Sequence, residues 1–184
     1  MKKARKKRQL STQCLVSQLR GRIIFDRHDL RGLAIVEHVI FRAEDLGLAY
    51  FTCRAADIPK AYIRADQTTI FGKYLATNDV ANFGEADEFV RDQHVITSDC
   101  QLTGYRVIDT LGHHLGKVND VSVSMAHLQV SRLHVRPPLL RSWKSTNLVI
   151  ARSAVVEVLP ESRTITVQGP EKTHTQLSTE PSLA

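Results

Sequence analysis

Long apolar runs are missing from this chain of 184 residues, where no window approaches the 18 or more uninterrupted apolar residues of a membrane-spanning helix. Apolar content is that of an ordinary soluble protein and aromatic residues are few. Cysteine is also sparse: Cys14, Cys53 and Cys100 are odd in number, far apart and without a CxxC pair. Such spacing supports neither a disulfide framework nor a structural zinc site, so reduced thiols in a cytoplasmic protein are expected. The first residues are basic but are followed by Gln9-Leu10-Ser11-Thr12-Gln13, with no apolar core and no small-residue cleavage site, a poor secretory signal.

The recognised catalytic motifs are absent as well. There is no GxSxG, no HExxH and no GxxxxGK phosphate loop. His113 and His114 are adjacent, and neighbours on a strand face opposite sides, so the pair is expected to be solvent-exposed in a turn and to hold no metal. His127 and His134 lie too far apart along a strand pair to define a site. No metal, cofactor or small-molecule substrate is expected, and no catalytic residue is assigned.

What the chain does have is an uneven charge distribution. Lys2, Lys3, Arg5, Lys6, Lys7 and Arg8 put six basic residues in the first eight. The remaining 19 Lys and Arg balance 19 Asp and Glu, so the whole excess of +6 sits in this arm. A block of like charge repels itself and stays disordered alone, yet it attracts phosphate, because each Lys or Arg releases a condensed counterion. RNA or a ribosomal particle, an anionic membrane surface, or no specific partner at all each fit the arm.

The most structured signal runs over residues 102–124, LTGYRVIDTLGHHLGKVNDVSVS. A short apolar run, a polar turn and a second run with Val118, Val121 and Val123 spaced almost two apart predict a β-hairpin with one face in a core. The pattern Leu102, Gly104, Val107, Asp109, Gly112, Leu115-Gly116-Lys117-Val118 and Asp120-Val121 resembles the opening of a PRC-barrel domain over about twenty residues. Beyond it, strands are expected at residues 128–135, 148–150, 155–159 and 165–167. The matched positions are a fold signature of Gly104, Asp109, Gly112, Gly116 and Asp120. Asp109 is expected to accept turn amides and Asp120 to close the hairpin, in preference to acting as paired catalytic carboxylates. The resemblance implies docking of a protein partner, with ribosome assembly or RNA metabolism as the setting in that family. Its membrane-anchored members use a helix that this chain lacks.

Sliding the hairpin back by 83 residues without a gap places Leu19 on Leu102, Gly21 on Gly104, Ile24 on Val107, Asp26 on Asp109, Ile35 on Val118, Glu37 on Asp120 and Ile40 on Val123. Residues 62–66 fall near 149–153 at a slightly larger offset. An internal repeat follows, or else a single barrel preceded by an unrelated β-rich region. Leu33 and Ala34 depart from the signature at Gly116 and Lys117.

The expected fold is therefore all-β: two small PRC-type barrels in tandem. A basic disordered arm covers 1–13, a divergent first barrel 14–83, a linker 84–97, a second barrel 98–168 and a disordered tail 169–184. Residues 15–53 read as strands and turns, and residues 84–91, acidic at the start, as a short helix. Arg132, Arg136, Leu139, Leu140, Arg141 and Trp143 surround a loop stiffened by Pro137-Pro138. They form either a partner surface, since Trp and Arg concentrate binding energy, or a cover that closes an open barrel end or packs on the first domain. The oligomeric state is left open.

Overall fold

A computed structural model describes residues 13–71, 74–138 and 148–169. The chain is mostly strand. In order it forms β1 (Gln13–Leu15), α1 (Val16–Leu19), β2 (Ile23–Asp26), β3 (Gly32–Phe41), β4 (Leu48–Ala55), β5 (Ala61–Arg64), β6 (Thr68–Phe71), β7 (Tyr74–Thr77) and α2 (Gln93–Ser98). Then follow β8 (Arg106–Asp109), β9 (His114–Ser124), β10 (Gln129–Arg136), β11 (Leu148–Ala151), β12 (Val155–Leu159) and β13 (Thr164–Val167).

One sheet has the order β5-β4-β3-β2-β7-β6, and the other β11-β10-β9-β8-β13-β12. Both follow the same path, down to a parallel pairing of the first strand with the last, β2 with β7 and β8 with β13. The register corrects the gapless alignment. Ile24 faces Ala34 as Val107 faces Gly116, so the loop between β8 and β9 is one residue shorter than its counterpart. Val36, and not Ile35, is thus the counterpart of Val118. Burial agrees: Val36 and Val118 are 1% and 2% exposed, whereas Ile35 is 38% exposed on the outer face.

Two stretches differ from the sequence expectation. Residues 16–19 form a helical turn within the run read as strand, because Val16 and Leu19, three apart, bury on one side of it. Asp120 anchors this turn. Its carboxylate accepts the Ser17 N–H at 3.1 Å and the Ser17 hydroxyl at 2.5 Å, together with the Val121 N–H at 2.8 Å. Asp120 therefore does not close the hairpin; it ties the N-terminal segment to the second sheet, where β1 also pairs with β9. Replacing Asp120 with alanine is expected to lower stability by about 1 kcal/mol, since a first-turn N–H loses its acceptor. An unchanged urea midpoint would show that water serves Ser17 equally well.

The expected helix at 84–91 is instead a pair of 3-10 turns, Ala86–Glu88 and Val90–Asp92, and the α-helix starts only at Gln93. The Glu88 carboxylate accepts the Glu85 N–H and so stabilises the tight turn in place of an α-helical first turn. This segment is packed, and it is more than a spacer. Phe89, Val95 and Ile96 lie on Ile40, Ala49, Tyr50 and Tyr62 in a second apolar cluster outside the first sheet. Tyr50 and Phe89 meet edge to face at 5.3 Å.

The main core is continuous across both sheets, from Ile24, Val36, Phe51 and Ile63 to Val107, Val121, Leu133 and Ile165. At the seam the halves exchange equivalent bonds: Leu48 N–H donates to the Leu128 carbonyl at 2.7 Å, and Val130 N–H to the Leu46 carbonyl at 3.0 Å. Leu46 and Leu128 both take positive φ, 58° and 48°, to present those carbonyls. Among the described residues no helix is long and apolar enough to cross a membrane.

Candidate functional site

The residues singled out by sequence separate into three places. The basic arm, residues 2–8, and Leu139, Leu140, Arg141 and Trp143 lie outside the described residues. Arg132 and Arg136 stand two apart from His134 on the outward side of β10, while Leu133 and Val135 between them point into the core. His134 Nε2 and the Ser122 hydroxyl are 2.7 Å apart, and Arg136 donates to Asn119 Oδ1 at 2.8 Å. A cavity of about 430 Å³ brings Arg136, Pro137 and Pro138 against Gly104 and Gly116. Gly104 and Gly116 thus wall a surface pocket as well as allow the backbone path. Gly104 and Gly112 both have φ 84°, and Gly116 has φ 151°.

Asp109 is 7% exposed and sits inside its turn. Its carboxylate accepts the Leu111 N–H at 2.9 Å and the His113 N–H at 2.8 Å, and lies 2.9 Å from His113 Nδ1. Desolvation pushes the carboxyl up, but these hydrogen bonds outweigh it and hold it below its ordinary value. His113 consequently has a partner in the turn. Burial pushes the Cys53 thiol up to about 12 and the Cys100 thiol up to about 11, leaving both protonated and unreactive near neutral pH.

A further surface feature was not visible in the sequence. Along β12, three cavities of about 190, 330 and 790 Å³ adjoin one another, sharing Val156, Glu157 and Val158 at one junction and His94, Ser98 and Pro160 at the other. The facing wall comes from the turn between β3 and β4, residues 42–46, and from α2. Val156 and Leu159 are 55% and 43% exposed beside it.

Asp45 holds the two walls at their distance. Its backbone carbonyl accepts Arg152 Nη2 at 2.8 Å and Nε at 3.2 Å, and also Gln129 Nε2 at 3.2 Å. Its carboxylate takes Arg42 at 2.9 Å and the Gly47 N–H at 2.7 Å. Burial works against that carboxylate, yet the bonds from Arg42 and Gly47 keep it below the usual range. A second polar knot lies nearby: the Tyr50 hydroxyl donates to Asp92 Oδ2 at 2.6 Å and Arg64 donates to the same oxygen at 3.1 Å. Burial, and then the bond to Asp92, raises the Tyr50 phenol above its ordinary value. Among the described residues no group of three or more His, Cys, Asp or Glu side chains is arranged to hold a metal.

Fold and surface together define a mostly-β protein of two like-ordered sheets with a groove along their seam. No protein-family model matches the chain, and no curated protein matches it. Among solved structures it is similar to a putative 16S ribosomal RNA processing protein, RimM, from Pseudomonas aeruginosa, with 12% identity and a TM-score of 0.27 over 74% of this chain and 97% of that one.

Proposed function

We propose that this protein is a non-enzymatic cytoplasmic adaptor whose body docks a protein partner while its basic arm adds affinity for RNA or a ribosomal particle. In this reading residues 14–83 and 98–168 are PRC-type barrels, with 84–97 joining them. The observation that carries the docking half is the groove along the exposed strand β12, since a long cleft with apolar side chains at its lip is a surface built for contact. The arm carries the second half: its six cations stand against a body of balanced charge, so attraction to phosphate is separable from docking. Ribosome assembly is the setting implied by the PRC-barrel resemblance of residues 102–124.

Sedimentation with ribosomal particles from lysate tests both halves. Full-length protein is compared with a form lacking residues 2–8, at low and high salt. Binding that survives arm removal and high salt is expected. Binding lost under either condition would leave only a charged arm attracted to phosphate. The same arm would hold a peripheral structural protein at anionic lipid, and flotation with acidic vesicles that resists competitor RNA would favour that second reading.

A further inference from the structure

We propose that the seam groove takes an extended, basic peptide segment of a partner protein, which adds as a new strand along the edge of β12. The inference rests on the docking reading above and names its site and the chemistry of its occupant.

Three observations place a strand there. First, β12 is terminal in its sheet and pairs only with β13 among the described residues. Outside that ladder, residues 156–159 make no backbone hydrogen bond among the described residues. An antiparallel strand bonded on one side leaves alternate N–H and C=O groups pointing outward, a template for another strand. Second, the cavities touch Val155, Val156, Glu157 and Val158 in succession. A register shift between Val155 and Glu157 interrupts the alternation there, so Val156 and Glu157 are both exposed to the cavity on the unpaired side of the strand. Third, the chain itself uses this mode of pairing at another sheet edge: at β5, terminal in the first sheet, Tyr62 and Gly84 exchange backbone bonds at 2.8 and 3.1 Å. The chain thus shows, between β5 and Gly84, the pairing that β12 offers to a partner.

Charge selects the occupant. Glu44, Glu157 and Glu161 line the groove, are exposed, and enter no salt bridge among the described residues. Of the nearby cations, Arg42 is paired with the Asp45 carboxylate, while Arg152 is held by the Asp45 carbonyl and keeps its charge, so Glu44, Glu157 and Glu161 outnumber it. A nucleic acid would bring phosphates onto these carboxylates. A second copy of the chain pairing edge to edge would bring Glu157 and Glu161 against their own like charge. A peptide with Lys or Arg on one side and β-branched residues on the other meets both the carboxylates and Val156. Backbone bonds to the strand edge supply affinity, and the side chains supply selectivity.

The test uses the full chain and a short fluorescent peptide alternating valine and lysine, with the valine–glutamate peptide as control, read by anisotropy. The lysine peptide is expected to bind and the glutamate peptide to fail. Glu157→Lys and Val156→Pro are each expected to weaken binding by about tenfold or more, the first by reversing charge and the second by disturbing the edge. Glu157 is exposed, so its variant keeps the proposal testable if the proline variant melts early. Equal binding of both peptides, or undiminished binding by both variants, would overturn the proposal. Binding seen only after the six arm cations are replaced by serine would assign the groove to the chain's own arm. A dimer that dissociates on Val156→Pro would assign it to a second copy. Either result overturns the proposal, while retained salt-resistant sedimentation with ribosomal particles would leave the adaptor reading standing.

Discussion

Replacing Gly116 with alanine is expected to destabilise the protein by about 3 kcal/mol, the combined cost of a positive φ for an L-residue and of overpacking. Gly116 has φ 151°, and a Cβ built on it would land on the Arg136 carbonyl and 2.9 Å from Val135 Cγ1. The obstacle is backbone of the neighbouring strand, which cannot rotate away as a flexible side chain does. For a chain of this size the loss corresponds to a fall in melting temperature of roughly 6–12 °C. The first sheet supplies the contrast, because Ala34 occupies the corresponding register position opposite Ile24. A shift smaller than about 2 °C would show that β9 and β10 can separate there to admit the methyl group.

Phe51→Ala is expected to cost about 3–5 kcal/mol, the usual range for removing a buried aromatic ring from a core that cannot collapse around the void. Phe51 is 0% exposed and lies between Val39 and Ile63 on the neighbouring strands. The same apolar cluster continues without a break to Val121 and Leu133 in the second sheet. Unfolding is therefore expected to remain one transition, lowered by roughly 10 °C in calorimetry. Hydrogen exchange locates the effect: amides of Val121 and Leu133 should lose protection together with those of Val39 and Ile63. Loss confined to the first sheet would show that the sheets melt separately despite the shared core.

Local pattern was enough wherever a strand carries its own signal. Residues 155–159 and 148–150, rich in β-branched and aliphatic side chains, fall in strands β12 and β11, as the pattern predicts. The turn at Asp109 was also legible, because an Asp two residues before Leu111 and three before Gly112 can bond its own following amides without help from the rest of the chain. The gapless repeat went wrong by one residue after the turn. Loop length leaves the hydrophobic alternation on either side intact, and only cross-strand register reveals it. Asp120 was misplaced for a related reason: its acceptors serve Ser17, 103 residues earlier, and no local spacing encodes that meeting.

Sequence by itself determined the β character, the turn glycines, the neutral body and the basic arm, since each depends on side-chain chemistry or on steric limits within a few residues. Tertiary structure alone decided that β1 crosses to the second sheet, that residues 89–96 pack on the first, and that Glu44 and Glu157 face one groove. Those features depend on which strands lie at a sheet's edge and which elements fill the space beside them. Edges and seams are properties of the assembled sheets, and a strand at an edge has the same alternation as one at the centre.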